Sequence, residues 1–133
     1  MAARDNFGKQ LYIAAHDGNI KAMKSALSNG ADINWENPDD LNYTPLHIAA
    51  CFNKLEADSV QFLIRNNANI ESRDTSGFTP LMRAAVNGSS QSLIILLQNG
   101  ANATAINNDG KTALDRAELH GHTVVVHKLR EHA

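Results

Sequence analysis

The chain is poor in cysteine and in aromatic residues. Cys51 is the one cysteine among its 133 residues, so no disulfide can form within the chain. Aromatic residues make up 5% of the sequence, whereas hydrophobic residues as a whole make up 43%. A β-sandwich or a β-barrel would need more aromatic residues. The composition therefore favours a fold that packs alanine and leucine between helices.

The chain also lacks an excess of positive charge and a long apolar run. Its 12 lysine and arginine residues and 14 acidic residues give a net charge of −2, so no global basic field would attract nucleic acids or anionic membranes. A transmembrane helix needs about 18 consecutive apolar residues, and no apolar run in this chain approaches that length. Nothing in the sequence resembles a signal peptide. We therefore expect a protein of the cytoplasm or the nucleus.

A repeated unit is present instead, and its clearest copy begins at Thr79-Pro80-Leu81. Pro80 can open a helix capped by Thr79, because the N-H groups of the first turn have no partner within the helix. Leu81, Ala84 and Ala85 are spaced i, i+3 and i+4, which places them on one face. The two alanines let a neighbouring helix approach closely.

A second helix is predicted directly after the first. Gly88 ends the first helix, and Gly100 stands where a left-handed residue closes the second helix. Between them, Leu93, Leu96 and Leu97 repeat the i, i+3, i+4 spacing. The unit is therefore a helix, a tight turn, a second helix and a loop.

The unit recurs along the whole chain. Leu114 follows Leu81 by 33 positions, and Ala101 follows Ala68 by the same number, which is the kind of period that marks a repeat protein. The second unit is longer. Two extra residues lie in the loop before Thr44, and two more lie in the turn after Ala50.

These motifs resemble the ankyrin repeat, and the resemblance covers roughly residues 7–133. It implies an all-α ankyrin-repeat solenoid of stacked helix-turn-helix units with β-hairpin fingers. It also implies a single domain over residues 1–133, with repeats at about 7–36, 37–73, 74–106 and 107–133 and with polar first and last repeats acting as caps. The segments that carry the resemblance are Gly30-Ala31-Asp32-Ile33-Asn34, Thr44-Pro45-Leu46-His47-Ile48-Ala49-Ala50, Asp74-Thr75-Ser76-Gly77-Phe78-Thr79-Pro80-Leu81 and Asp109-Gly110-Lys111-Thr112-Ala113-Leu114.

Two kinds of ankyrin protein are similar to this chain in detail. The segment from Gly30 to Trp35, followed by an extended finger, resembles the ankyrin modules that follow the zinc domain of Arf GTPase-activating proteins. The cysteines of that zinc domain are absent here, so the resemblance implies no such activity. The capped ends are similar to those of small free-standing ankyrin proteins of the myotrophin type.

The lengthened finger is acidic. Residues 25–53 contain no lysine or arginine, but four acidic residues lie on or beside this loop: Asp32, Glu36, Asp39 and Asp40. Their presence in an inserted loop favours binding to a partner with basic residues. The alternative is structural, because Asp and Asn are common in turns and Trp35 can simply cover the neighbouring finger.

The resemblance implies that the variable positions of the fingers and of the first-helix ends face a concave groove. Four of the seven aromatic residues fall at such positions, and aromatic residues supply many interface hot spots. The alternative is that Phe52 and Phe78 only cover neighbouring repeats. Further groove positions are Ser76, Ile106, Asn108 and Asp109. The candidate partner-binding residues are Trp35, Asp39, Asp40, Leu41, Tyr43, Phe52, Arg73, Thr75, Phe78, Val86, Asn87 and Lys111.

The sequence predicts neither catalysis nor a bound metal or cofactor. The histidines near the C terminus have only loosely ligand-like spacing, and a metal site also needs carboxylate or thiolate ligands and a closed second shell. His47 resembles the buried histidine that hydrogen-bonds backbone in this family. Cys51 has no nearby positive charge to form a thiolate, and no phosphate loop or Cys-x-x-Cys pair is present. We expect no enzyme.

The leading hypothesis is a monomeric protein-interaction module. Its concave groove and finger tips would bind a peptide or domain that has apolar anchors and some basic character, and neither nucleic acid nor membrane is an expected partner. One alternative is the ankyrin regulatory portion of a larger signalling protein. Another is nucleic-acid or nucleotide binding, which the acidic finger opposes.

Overall fold

The computed structural model describes residues 3–52 and 57–132 of the chain. Within these residues the chain is helical, with no sheet and one isolated β-bridge. No helix there is long and apolar enough to cross a membrane. The helices are α1 Ala3–Asp17, α2 Ile20–Ser28, α3 Pro45–Ala50, α4 Asp58–Arg65, α5 Pro80–Asn87, α6 Ser90–Gln98, α7 Ala113–Leu119 and α8 Thr123–His132.

Threonine caps begin three of these helices, as predicted for Thr79. The Thr79 hydroxyl accepts a hydrogen bond from the Met82 N-H at 3.3 Å, and Pro80 follows as the first helical residue. Thr44 and Thr112 cap α3 and α7 in the same way. Such caps satisfy a backbone donor that has no partner within the helix.

Residues with a left-handed backbone follow the helices, as the sequence predicts for Gly88 and Gly100. Gly88 caps α5 with a φ of +67°, and Gly100 follows α6 with a φ of +88°. Asn67, which stands after α4 where the next repeat has glycine, has a φ of +70°. Asparagine tolerates this backbone conformation better than most residues, so the substitution keeps the turn.

The helices form two layers with the core between them. Helices α1, α3, α5 and α7 pack in succession as the first-helix layer, and α2, α4, α6 and α8 pack in the same order as the second-helix layer. Leu81, Ala84 and Ala85 are buried on one side of the core, and Leu93 and Leu96 on the other. The predicted apolar stripes are therefore the packing faces.

The terminal repeats are polar on their outer sides. Lys21 and Lys24 of α2 are exposed, and so are Arg130 and Glu131 of α8. Each terminal helix keeps a short buried stripe for its inner neighbour. The outer faces thus act as caps, as the sequence predicts for the ends of a solenoid.

Three fingers connect the repeats: finger 1 (residues 37–43), finger 2 (residues 74–78) and finger 3 (residues 107–111). The first N-H of each finger donates to the carbonyl of its last residue, at 2.9, 3.0 and 2.9 Å respectively. Finger 1 is longer, so the two extra residues predicted before Thr44 lie inside this closed turn. The second predicted extension falls on the turn that contains residues 53–56, which lie outside the described residues.

Hydrogen bonds join the fingers into one row. The Thr75 N-H donates to the Leu41 carbonyl at 2.9 Å, and the Asn108 N-H donates to the Ser76 carbonyl at 3.1 Å. Arg73 Nη1 also donates to the Ile106 carbonyl at 2.6 Å. Because each finger is tied to the next, the row presents its side chains from a pre-organised surface.

Candidate protein-interaction surface

The structure divides the twelve predicted binding residues by exposure. Seven have exposed side chains, three are half-buried and two are buried. The exposed residues are Asp39, Leu41, Phe52, Arg73, Thr75, Asn87 and Lys111, the half-buried residues are Trp35, Asp40 and Val86, and the buried residues are Tyr43 and Phe78.

Tyr43 and Phe78 correct the expectation of exposed aromatic anchors, because the two side chains are only 9% and 5% exposed. Both residues stand directly before a threonine cap, and arginine side chains cover both rings. The Arg83 guanidinium carbon lies 5.0 Å from the Tyr43 ring centre and 3.9 Å from the Phe78 ring centre. The guanidinium carbon of Arg116 lies 5.4 Å from the Phe78 ring centre. These rings therefore pack the scaffold.

Trp35 and Asp40 anchor finger 1 to the first helix. The Trp35 ring lies against Gly8 so closely that a side chain there would have no room, and it meets the Tyr12 ring edge-on at 6.1 Å. The Tyr12 hydroxyl donates to Asp40 Oδ2. Burial, with this bond, raises the pKa of Tyr12. Trp35 thus covers a helix rather than a finger, and Asp40 is engaged within the chain.

Leu41 is the unusual residue of finger 1. Its side chain is 50% exposed, and its backbone is left-handed, with a φ of +53°. That conformation costs a residue with a Cβ about 1–2 kcal/mol. The bond from the Thr75 N-H to its carbonyl holds it there. An apolar side chain is thereby presented to solvent beside the exposed carboxylate of Asp39.

Fingers 2 and 3 combine scaffold contacts with exposed side chains. Arg73 bridges the carbonyls of Gly77 and Ile106 at 2.9 and 2.6 Å. The Thr75 hydroxyl accepts from the Asn42 side chain at 3.2 Å. Ile106 is 53% exposed, so this surface carries a second apolar side chain in line with finger 1.

The predicted residues at the helix ends are only partly available for binding. The Val86 carbonyl accepts a hydrogen bond from His122 Nε2 at 2.8 Å, and the Asn87 amide donates to the Arg83 carbonyl. The exposed Phe52 ring meets the His16 ring edge-on at 5.3 Å.

Leu119 was missed by the sequence analysis. It occupies the position in α7 that Val86 occupies in α5, seven residues after the threonine cap, and it is 70% exposed. Applying the repeat register to the fourth unit would have identified it.

A buried ion pair ties finger 2 to α5. Asp74 Oδ1 accepts from the backbone N-H groups of Ser76 and Phe78 at 2.9 and 3.0 Å. Asp74 Oδ2 accepts from Nε and Nη2 of Arg83, both at 2.8 Å. The carboxylate thus closes the turn with one oxygen and fixes the helix with the other. The pair was not predicted from the sequence.

His47 and Cys51 have structural roles, as the sequence indicates. His47 Nδ1 accepts from the Thr44 N-H at 3.1 Å, so Nε2 carries the proton and donates to the Phe78 carbonyl at 2.7 Å. Burial lowers the His47 pKa, which keeps the ring neutral. Burial also raises the Cys51 pKa to about 11, so its thiol stays protonated. Among the described residues, no group of three His, Cys, Asp or Glu side chains is placed to hold a metal ion.

Comparison with known proteins agrees with this architecture. A family model of ankyrin repeats, spanning three copies, matches residues 11–107 and 60–133. Over 83 residues, 62% of this chain, the sequence is 42% identical to Arf-GAP with coiled-coil, ANK repeat and PH domain-containing protein 2 of Rattus norvegicus. Over 79 residues it is 34% identical to ARF GTPase-activating protein Git of Drosophila melanogaster.

The matched region spans 10% of the length of each of these two relatives. The similarity is therefore confined to a small part of much longer proteins. The expected resemblance to ankyrin modules of Arf GTPase-activating proteins is confirmed at that level. With the family model covering most of its length and four stacked helix pairs in its described residues, this chain belongs to the ankyrin repeat family.

Proposed function

We propose that this chain is a protein-interaction module that binds its partner on the finger surface, defined as Asp39, Leu41, Arg73, Thr75, Ile106 and Lys111. Ankyrin repeats are generally protein-interaction modules. These six side chains are exposed, and the bonds between fingers hold their backbone in place. Pre-organisation of this kind reduces the entropy lost when a partner binds.

The observation that carries the proposal is the conformation of Leu41. A leucine with a φ of +53° is strained, and its side chain remains 50% exposed, so burial offsets only part of that cost. Strained residues are found at functional sites more often than elsewhere in a fold. Asparagine or glycine would hold the same turn at lower cost. We infer that the leucine side chain is retained as an apolar anchor.

Charge indicates the partner's chemistry. The carboxylates of Glu36, directly before finger 1, and of Asp39 on finger 1 are exposed, whereas Asp40 is bonded to Tyr12. A partner that places an apolar side chain on Leu41 and a basic residue beside Asp39 complements this surface. Such charges chiefly raise the association rate and the specificity of binding.

The test is affinity capture from cell lysate, with bound proteins identified by mass spectrometry, for the unmodified chain and for Leu41→Asn. Asparagine adopts the left-handed backbone readily, so the variant should be at least as stable in a urea melt. Its capture of the specific partner should fall by about tenfold or more, because an apolar anchor contributes on the order of 2 kcal/mol.

Val124→Asn is the matched control. Val124 is also an exposed apolar residue, at 59%, but it lies on α8 away from the fingers. This variant should capture the same proteins as the unmodified chain. Equal capture by Leu41→Asn and by the unmodified chain would overturn the assignment of the finger surface.

A second candidate is that the chain acts as the ankyrin regulatory portion of a larger signalling protein. The observation that favours this candidate is the 42% identity to a region of the rat Arf-GAP protein. That protein is about ten times longer than the matched segment. An immunoblot of the endogenous polypeptide tests it. A product far longer than 133 residues is expected under this candidate, and a product of this length contradicts it.

A further inference from the structure

Two buried donors in the fourth repeat have no acceptor. In the part of the chain that the structure describes, Asn107 Nδ2 and Arg116 Nε lack a hydrogen-bond partner. The Asn107 amide cannot be turned around, because its Oδ1 already accepts from the N-H groups of Asp109 and Lys111 at 2.9 and 3.0 Å. Leaving a buried donor unpaired costs about 1–3 kcal/mol.

The third repeat shows which group is missing. Asn107 and Arg116 occupy the same register as Asp74 and Arg83, nine residues apart in both repeats. In the third repeat, Asp74 Oδ2 accepts both arginine bonds at 2.8 Å. In the fourth repeat, the side-chain amide of Asn107 presents an N-H group where Asp74 presents an oxygen. The fourth repeat therefore lacks a negatively charged oxygen beside Arg116.

A hollow of about 440 Å³ adjoins Arg116 and is lined by Lys111, Asp115, Arg116, Glu118 and Leu119. The two acidic residues in it are engaged elsewhere. Asp115 Oδ2 accepts from the Thr112 N-H at 3.0 Å, and Glu118 Oε2 accepts from Arg130 at 3.1 Å. Asp115 also attracts Lys111 electrostatically, and Arg116 Nη2 lies 3.5 Å from His120 Nε2. Among the described residues Arg116 forms no ion pair, so its positive charge is available beside the largely exposed Leu119.

We propose that this hollow binds a carboxylate of the partner protein, with Arg116 as the main contact and an adjoining apolar side chain on Leu119. Guanidinium groups bind carboxylates through paired hydrogen bonds. Because the Arg116 Nε atom is covered by the protein, the carboxylate would pair with the Nη groups and supply the negative charge that Asp74 supplies to Arg83 in the third repeat. The carboxylate belongs either to an acidic side chain or to the partner's C terminus. This inference rests on the proposed function and adds the chemistry of one contact to it.

The experiment is an NMR titration of the ¹⁵N-labelled chain with three small probes. N-acetyl-leucine offers a terminal carboxylate, acetyl-Leu-Glu-amide offers a side-chain carboxylate, and acetyl-Leu-Gln-amide is the neutral control. The Nε-H signal of Arg116 should shift in a saturable way with at least one carboxylate. The Nε-H signal of Arg83 should stay in place, because Asp74 already pairs with it. The tighter of the two acidic probes identifies the source of the carboxylate.

Asn107→Asp supplies the missing oxygen from within the chain and should weaken probe binding by about tenfold, equivalent to about 1.4 kcal/mol. Asn102→Asp adds the same charge on an exposed loop residue and should leave binding nearly unchanged. A missing Arg116 shift with both acidic probes, or an equal shift with the neutral probe, overturns the carboxylate site. If Leu41→Asn still abolishes partner capture in that case, the proposed function stands and only this contact fails.

Discussion

At the scale of single residues, His47 shows how the repeat uses a polar side chain as scaffold. Its two ring nitrogens join the cap of α3 to finger 2. The resemblance of Thr44-Pro45-Leu46-His47 to the ankyrin repeat implies this role. Met82 and Asp115 occupy the same position in the next repeats, so those repeats lack this histidine. In the first repeat Tyr12 occupies the position and donates to Asp40 of finger 1.

The lowered pKa of His47 makes stability depend on pH. Burial holds the pKa below its ordinary value of 6.5, so the unfolded chain binds the proton more tightly than the folded chain does. This contribution to stability is complete above pH 6.5 and is lost as the pH falls toward the folded-state pKa, by at most about 1.4 kcal/mol per pH unit.

His47→Gln should therefore flatten the pH profile. Glutamine can keep a donor toward the Phe78 carbonyl but does not titrate. Urea unfolding at pH 7.5, 6.5 and 5.5 should show a smaller loss of the free energy of unfolding in the variant than in the unmodified chain. Equal slopes would mean that folding does not lower the pKa of His47, which would contradict this account.

Other residue-level features depend on contacts that no local pattern encodes. The sequence identifies Tyr43 and Phe78 as finger residues but not as buried ones, because their burial depends on arginine side chains that fold back over the rings from Arg83 and Arg116. The strained φ of Leu41 likewise depends on how the two inserted residues are accommodated. The direction of a side chain is thus set by stacking, which a period alone does not reveal.

At the scale of elements, the link between a finger and its helix differs among repeats. Asp74 and Arg83 close this link in the third repeat, and Asn107 leaves it open in the fourth. Caps, helix faces and finger lengths could be predicted from spacing. The ion pair could not be predicted in this way, although the nine-residue separation of Asp74 and Arg83 can be read from the sequence once the contact is known.

Asn107→Asp should restore the link and raise the free energy of unfolding by about 1 kcal/mol. The value lies below that of a favourable charged hydrogen bond because the new carboxylate must be desolvated. Urea unfolding at neutral pH measures the change. Asn102→Asp should show no comparable gain, and adding Arg116→Gln to Asn107→Asp should remove it. A gain that persists without Arg116 would contradict the pairing.

At the scale of the whole molecule, the two ends of the row of fingers carry different charged side chains. The exposed Asp39 lies on finger 1, and Lys111 lies on finger 3 together with the exposed Asp109, with Arg116 following on α7. Fingers 1 and 3 are two repeats apart, which is about 20 Å if packed helices stand roughly 10 Å from each other. An extended peptide covers that distance with about six residues. A bound segment would thus place its basic end on finger 1 and its carboxylate near Arg116.

Methyl NMR of the complex with the captured partner tests the central claim most directly. If the partner binds along the fingers, the methyl signals of Leu41, Ile106 and Leu119 should shift or broaden, and those of Val124 on α8 should stay in place. Changes confined to the second-helix layer, with Leu41 and Ile106 unaffected, would contradict the assignment of the finger surface as the binding site.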